Sequence, residues 1–365
     1  MAGAELMQLL SGASLAPEAI DWDSVVRQAR RCGLLGRLAC MLEAQRALDA
    51  VPPHVRRHLD GARLVAQRQT EAVRWEVSCI EGALASVGRT TLLLKGAAYA
   101  MAGLPPSRGR LMSDIDILVP HDALGAVESA LMRAGWVTAH HDAYDQHYYR
   151  RWMHELPPMR HVVRSSAVDV HHALLPMTAR NQVDTEAMRA AAVPIPGYPQ
   201  LRMLAPADMV LHAATHLFHE GELHSGLRDL SDLDLLLRHF GAMPGFWDEL
   251  APRAEAVGLA RPLHYALTYC AAFLATPVPP AVMIRVAKFG PSAPLRMLMG
   301  ELYARAFAPG LPNDEDVLAP LARSMLFLRG HWLRMPPHLL VYHLGHKAMA
   351  AMRSRPDKVP DDHAK

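Results

Sequence analysis

The sequence of 365 residues lacks the usual marks of several protein classes. Its four cysteines form no Cys-x-x-Cys pair, so their spacing predicts no zinc site and indicates free thiols in a reducing cytoplasm. Aromatic residues make up 6% and the formal net charge is +2, whereas proteins that bind long nucleic acids usually carry a basic stripe. Residues 1–24 contain acids and no early basic region, which argues against a signal peptide. These absences favour a cytoplasmic protein with no strong nucleic-acid signal.

Long segments without charged residues are also scarce in the sequence. One stretch, residues 262–284, contains no Asp, Glu, Lys or Arg, but it includes Pro277, Pro279 and Pro280. A helix that ends before Pro277 would be shorter than the about 20 apolar residues that a bilayer requires. We therefore expect a buried helix followed by a proline-rich loop, and no membrane segment.

Hydrophobic residues make up 51% and charged residues 20%, which is typical of a globular protein with a substantial core. The length suits one large domain or two ordinary ones. Apolar periodicity predicts an N-terminal helical region at 1–88, then a mixed region, then a C-terminal helical region at 206–352. Residues 189–205, with three prolines and a glycine, are the best linker candidate. The charged, proline-rich tail at 353–365 is predicted to be disordered.

Local patterns predict individual elements within these regions. Asp23 or Ser24 should cap a helix that runs through residues 25–48. Residues 54–87 predict one long helix, or two that are broken near Gly61. The mixed region has six candidate strands, which are residues 91–94, 113–119, 136–138, 147–154, 160–163 and 167–171.

Two neighbouring segments of the mixed region carry the strongest chemical signal. Lys95-Gly96 ends the first apolar run, and Asp114 and Asp116 lie within the second. Because side chains alternate along a strand, the two carboxylates point the same way. Buried carboxylates repel each other, and Mg²⁺ is the usual partner, since it takes one or two carboxylates together with substrate phosphate oxygens. The pattern therefore indicates a nucleotide–metal site.

These residues are similar to the signature of the DNA polymerase β-type nucleotidyltransferase superfamily. Within it, Leu94-Lys95-Gly96 followed by Ser113-Asp114-Ile115-Asp116 resembles a bacterial family of uncharacterised nucleotidyltransferases. The third acid of that family lies in a segment that Val168-Asp169-Val170-His171 matches. The likeness covers about residues 92–239, with weaker helical likeness on either side.

The resemblance implies a fold of the α+β class. A small mixed nucleotidyltransferase sheet with flanking helices, residues 89–188, would be embedded between the N-terminal and C-terminal helical regions. It also implies catalytic and metal-binding roles for Asp114, Asp116 and Asp169, with Mg²⁺ as the cofactor and Mn²⁺ as an alternative. Glu155 is the alternative third acid, because it also lies near a predicted strand.

A second set of residues is expected to bind the nucleotide. Its members are Lys95, Gly96, Ala97, Arg108, Arg110, Ser113 and His216. Gly96 would let the backbone approach the triphosphate, and arginines would form charged hydrogen bonds with it. Ala97 departs from the Ser or Gly that is usual in the superfamily, so one hydroxyl contact to phosphate is missing. Lys95 and the two arginines would otherwise be ordinary solvated side chains.

His212, His216 and His219 are spaced to share one helix face. Three interpretations remain open: a zinc site completed by His224 or Glu220, a lining of the nucleotide or acceptor pocket, or a structural role. Arg228 and Asp232 on the next helix form either a surface ion pair or part of the structure behind the site. His171 orients a carboxylate, contacts the acceptor, or is a hydrogen-bonded histidine with no catalytic role.

The leading functional hypothesis is transfer of a nucleoside monophosphate from a nucleoside triphosphate donor to an acceptor. A small molecule or a peptide is favoured as acceptor, and the oligomeric state is open. The alternative is a non-catalytic nucleotide-binding or protein-interaction module on the same fold. A third hypothesis, an antitoxin that transfers AMP to a partner protein, fits less well because such proteins are usually much shorter than this chain.

Overall fold

The computed structural model describes residues 4–13, 15–138, 143–219, 221, 223–311 and 316–339. The predicted tail at 353–365 and the last part of the predicted C-terminal helical region lie outside these residues, as does Glu220. The described chain is an α+β structure with a seven-stranded mixed sheet, which confirms the predicted fold class.

The N-terminal region consists of helices, as predicted. They are α1 (Ala4–Leu10), α2 (Trp22–Arg31), α3 (Leu35–Ala44) and α4 (Pro53–Leu84). The side chain of Asp21 caps α2 by accepting a hydrogen bond from the backbone N–H of Ser24 at 3.2 Å. The single helix predicted across residues 25–48 is wrong, because Gly33 takes a left-handed conformation with φ +67° and separates α2 from α3. In contrast, α4 continues unbroken through Gly61 for 32 residues.

Seven strands follow in the middle of the chain. They are β1 (Thr91–Leu93), β2 (Asp114–Leu118), β3 (Trp136–Thr138), β4 (Met159–His161), β5 (Ala167–His171), β6 (Val193–Ile195) and β7 (Tyr198–Met203). The order across the sheet is β3-β4-β5-β2-β1-β7-β6. Strand β2 pairs antiparallel with β1 and parallel with β5, so the Asp-x-Asp strand lies inside the sheet. Four helices accompany the strands: α5 (Lys95–Ala102), α6 (Leu124–Arg133), α7 (Ala143–Trp152) and α8 (Thr185–Ala190).

The strand predicted at residues 147–154 is wrong, because most of this segment belongs to helix α7. Arg150 donates to Gln146, one helical turn earlier, at 2.8 Å, and to Glu128 of α6 at 2.6 Å. Contacts at this spacing stabilise a helix. Residues 156–159 therefore follow a helix and lead into β4, and they are not the turn of a hairpin.

The linker predicted at residues 189–205 is also wrong, because β6 and β7 form a hairpin and β7 pairs with β1. Gly197 has φ +83°, which permits the turn between the two strands. Pro194 lies on β6, the edge strand of the sheet. Proline has no backbone N–H to donate, and an edge strand tolerates this because one of its sides has no partner strand. The sheet consequently extends beyond the predicted core boundary at residue 188, and the division into domains stays a prediction.

The C-terminal region is helical, as predicted. Its helices are α9 (Pro206–His219), α10 (Gly226–Gly241), α11 (Phe246–Ala256), α12 (Ala260–Leu274), α13 (Pro280–Ala287), α14 (Ala293–Phe307) and α15 (Ala319–Arg334). One continuous cluster of buried apolar residues joins them to the sheet and to the N-terminal helices. Helix α12 ends before Pro277, and within the described residues no helix is both long enough and apolar enough to cross a membrane.

Candidate active site

The register of two parallel strands brings the three predicted acids together. Asp116 of β2 lies opposite Asp169 of β5, and Asp114 lies opposite Ala167. Since alternate residues of a strand share a face, Asp114, Asp116 and Asp169 all project from one face of the sheet. Glu155, the alternative third acid, instead forms a β-bridge with His171 at the end of β5.

Lys95 lies at the junction of β1 and α5, directly beside these acids. Its Nζ is 3.1 Å from Oδ1 of Asp116. The backbone of Lys95 has φ +43°, a left-handed conformation that is uncommon for a residue with a side chain and costs about 1–3 kcal/mol. The structure thus places Lys95 against a carboxylate, not in bulk solvent.

Asp116 is held as a carboxylate. Its side chain is buried, and it accepts a second hydrogen bond from Nε2 of His171 at 3.0 Å. Burial raises the pKa of Asp116, but the charge of Lys95 and the hydrogen bond from His171 outweigh this and hold the pKa well below its usual range.

Asp169 has the opposite environment. Its Oδ1 is buried, and it has no hydrogen-bond partner among the described residues. Burial, followed by the negative charges of Asp116, Glu155 and Asp114, raises the pKa of Asp169 to about 7. A buried carboxylate oxygen of this kind is unfavourable unless a proton, a hydrogen-bond donor or a cation approaches it.

The three carboxylates fit a divalent cation. They offer only oxygen donors, which suit a hard ion such as Mg²⁺. Polar residues on a half-exposed strand would normally have hydrogen-bond partners. Oδ1 of Asp169 has none among the described residues, and this distinguishes the three acids from such a set. A bound cation would supply positive charge directly at this oxygen.

A cavity of about 240 Å³ opens beside the acids. Its lining consists of Lys95, Gly96, Arg110, Leu111, Ser113, Asp114, Asp116, His216, His224, Ser225, Arg228 and Asp229. Five of the seven residues predicted to bind nucleotide are therefore present. The other two are not, since Ala97 is buried in the core and Arg108 is exposed outside the lining.

Gly96 is required by close packing at this cavity. A Cβ atom at this position would lie 2.7 Å from Nη1 of Arg110 and 2.8 Å from Cγ of Met112. Any side chain here would displace Arg110, a cation that lines the cavity. The glycine therefore serves the fit between α5 and the loop that precedes β2.

A buried network of ion pairs holds Arg110 in place, and the sequence predicted only part of this network. Nε of Arg110 donates to Asp232 of α10 at 2.9 Å, and Nη2 of Arg37 donates to the other oxygen of Asp232 at 2.5 Å. The interpretation of Arg228 and Asp232 as a surface ion pair is wrong, because Asp232 is buried and Arg228 pairs with Asp229. The Arg-Asp-x-x-Asp pattern of α10 was the available signal, but nothing in the sequence indicated Arg37.

The three histidines of α9 differ in position. His216 lines the cavity, and burial, followed by the charge of Lys95, lowers its pKa to about 3, so its ring is neutral. His212 and His219 are buried within the helical packing. Among the described residues these three rings do not form a metal-ligand cluster, and the position of His216 favours the pocket-lining interpretation.

A mixed sheet that carries clustered acids beside a cavity lined by fixed cations is the architecture expected of a phosphoryl-transfer protein. The sequence profile of a family described as an uncharacterised nucleotidyltransferase matches residues 18–275, which is more than half of the chain. The chain therefore belongs to this family, which confirms the predicted resemblance to uncharacterised nucleotidyltransferases. Membership supports a nucleotidyltransferase activity and implies a nucleoside triphosphate substrate. No curated protein matches the chain.

Proposed function

We propose that this protein transfers a nucleoside monophosphate from a nucleoside triphosphate to an acceptor hydroxyl or phosphate, with a small molecule or a peptide as the favoured acceptor. Asp114, Asp116 and Asp169 would hold Mg²⁺, with Mn²⁺ as an alternative. The observation that supports this best is the alignment of Asp116 with Asp169, whose Oδ1 has no partner among the described residues, beside a cavity lined by cations.

The size of the cavity indicates which part of the donor it would accept. Its volume of about 240 Å³ is below the about 300–1,000 Å³ of pockets that bury a whole drug-sized ligand. We therefore assign it to the phosphate groups, and the nucleoside would lie outside it. Bound Mg²⁺ would neutralise charge on the phosphate oxygens.

Protein groups would position the triphosphate in the same place. Lys95, Arg110 and Arg228 line the cavity, and each is fixed by an acid, which is Asp116, Asp232 or Asp229 respectively. Cations that are already oriented need little reorganisation when negative charge develops on a phosphate, and this is the main protein contribution to such reactions. The neutral ring of His216 would add a hydrogen-bonding group without a competing charge.

The reaction itself needs a proton acceptor. The acceptor oxygen would attack the α-phosphorus, the bond from that phosphorus to the bridging oxygen would break, and pyrophosphate would leave. The hydroxyl proton would pass to the carboxylate of Asp169. His171 would act as a positioning residue, because it donates to Asp116 and fixes the orientation of that carboxylate.

Titration calorimetry with each of the four nucleoside triphosphates and Mg²⁺ tests this proposal without knowledge of the acceptor. We expect one nucleotide to bind in the presence of Mg²⁺, and the Asp114→Asn/Asp116→Asn variant to lose that binding. Asp122→Asn, at an exposed acid, is the matched control and should bind as the wild type does. Circular dichroism should show that all three proteins are folded.

The outcomes separate the hypotheses. If metal-dependent binding persists in the double variant, the assignment of Asp114 and Asp116 to the metal site is wrong. Binding accompanied by no pyrophosphate release across a panel of acceptors would instead favour the non-catalytic nucleotide-binding module.

A further inference from the structure

A second group of metal-ligating side chains lies beside the acids but is separate from them. His154, Glu155 and His171 each offer one ligand atom, and these atoms all lie within 4.8 Å of one another. None of the expectations drawn from the sequence gave these three residues a common role. Two ring nitrogens and one carboxylate differ in kind from the all-oxygen set of the three aspartates.

The backbone holds this group on a regular support. The N–H of His172 donates to the carbonyl of His154 at 2.8 Å, and the N–H of Leu156 donates to the carbonyl of Val170, also at 2.8 Å. The segment that carries His154 and Glu155 is thereby fixed against the end of β5, which carries His171. Ligands on a rigid support keep their geometry with little loss of entropy on binding.

The ring of His171 is oriented as a metal ligand usually is. Its Nε2 lies 3.0 Å from Asp116, and because a carboxylate can only accept, Nε2 carries the proton. Its Nδ1 faces Oε2 of Glu155 at 3.4 Å. A lone pair and a carboxylate oxygen at this distance need a positive charge between them, which is either a proton or a metal ion.

The environment of His154 supports the metal ion. The residue is 6% exposed, and its Nδ1 is buried without a hydrogen-bond partner among the described residues. A proton on His171 would satisfy Glu155 and Asp116 but would leave this nitrogen of His154 unpaired. A cation bound by the cluster would give the buried ring of His154 a favourable interaction that hydrogen bonding does not provide.

We propose that His154, Glu155 and His171 bind a zinc ion that is distinct from the Mg²⁺ of the three aspartates. Two imidazoles and one carboxylate form a familiar zinc ligand set, and water takes the fourth position. Ligand atoms about 2.0–2.1 Å from zinc in a tetrahedron are about 3.3 Å apart, close to the 3.4 Å between His171 and Glu155.

The ion would position residues of the active site. It would fix the ring of His171, whose other nitrogen donates to Asp116. Such a carboxylate–histidine–zinc arrangement orients both the ligand and the carboxylate behind it. The zinc ion would therefore hold Asp116 in the position that the proposed Mg²⁺ site requires.

Titration of the metal-free full-length chain with Co²⁺ tests this inference, since cobalt replaces zinc and its absorption depends on geometry. We expect a tetrahedral spectrum at one equivalent, which zinc abolishes by competition and Mg²⁺ does not. His154→Gln and Glu155→Gln should each lose this spectrum. Asp116→Asn should weaken Co²⁺ binding by about 10–100-fold, the usual effect of removing a carboxylate behind a ligand.

Two variants are matched controls. His264→Gln removes another buried histidine, one whose Nδ1 contacts the carbonyl of Val286, and it should keep the tetrahedral spectrum. Asp169→Asn removes one of the three aspartates and should keep it as well.

Three results would overturn the inference: no cobalt bound, an octahedral spectrum only, or a tetrahedral spectrum that His154→Gln retains. The cluster would then be a hydrogen-bonded network centred on His171. Because the readout is metal binding without nucleotide, failure here leaves the proposed nucleotidyl transfer untouched.

Discussion

Replacing Asp169 with Asn should make the metal-free protein more stable while it abolishes activity. The folded state keeps the proton of Asp169 up to a pKa of about 7, whereas the ordinary value is 3.8. The unfolded state therefore loses this proton first, and the stability of the wild type falls as the pH rises from about 4 to 7. The asparagine side chain of the variant carries no charge at any pH and escapes this loss.

The magnitude follows from the two pKa values. Their difference corresponds to about 4 kcal/mol, since each pKa unit is worth about 1.4 kcal/mol. At pH 8, in the presence of a chelator, the free energy of unfolding of Asp169→Asn should exceed that of the wild type by about this amount. At pH 5, where the unfolded chain has lost most of the proton and the folded chain keeps it, the difference should shrink to about 2 kcal/mol.

Urea denaturation at both pH values, with and without Mg²⁺, measures these quantities. An ion at 100 times its dissociation constant should add about 2.7 kcal/mol to the wild type and much less to the variant. Asp122→Asn, at an exposed acid, should show none of these effects. A variant that is less stable than the wild type at pH 8, or a difference that grows on acidification, would refute the claim that burial and the neighbouring acids raise the pKa of Asp169.

Two further predictions concern buried ion pairs. Asp232→Asn should lower the free energy of unfolding by about 3–5 kcal/mol, because it leaves Arg37 and Arg110 in the interior without their shared counter-charge. A loss below about 1 kcal/mol in urea denaturation, the size typical of a surface pair, would contradict this. Burial raises the pKa of Glu76, but hydrogen bonds from Arg164 outweigh burial and lower it below 4.5. Wild-type stability relative to Glu76→Gln should therefore be constant above about pH 5 and decrease as the pH falls below 4.5; an advantage that is unchanged at pH 3.5 would rule this out.

Much of the candidate site follows from local sequence. Asp114 and Asp116 share a face because alternation is a property of any strand, whatever surrounds it. Val168 and Val170 flank Asp169 in the same alternating pattern, which predicted β5.

The errors lie where distant contacts outweigh local preference. The aromatic residues near position 148 suit a strand, but Arg150 donates to Glu128 of α6 and stabilises a helix. The prolines of residues 189–205 suggested a linker, but they lie on an edge hairpin where proline is tolerated. No local pattern predicts that β7 pairs with β1, because the two strands are about a hundred residues apart in the sequence.

The sequence by itself determined the types of chemical group and the elements that carry them: three acids on two strands, a Lys-Gly turn, and helical regions on either side. Only the tertiary structure decided which groups meet. It placed Asp169 beside Asp116, joined Arg37 to Arg110 through Asp232, and left one oxygen of Asp169 without a partner among the described residues. The reason is physical: alternation and capping act within a few residues, whereas register, burial and charge pairing depend on segments that only folding brings together.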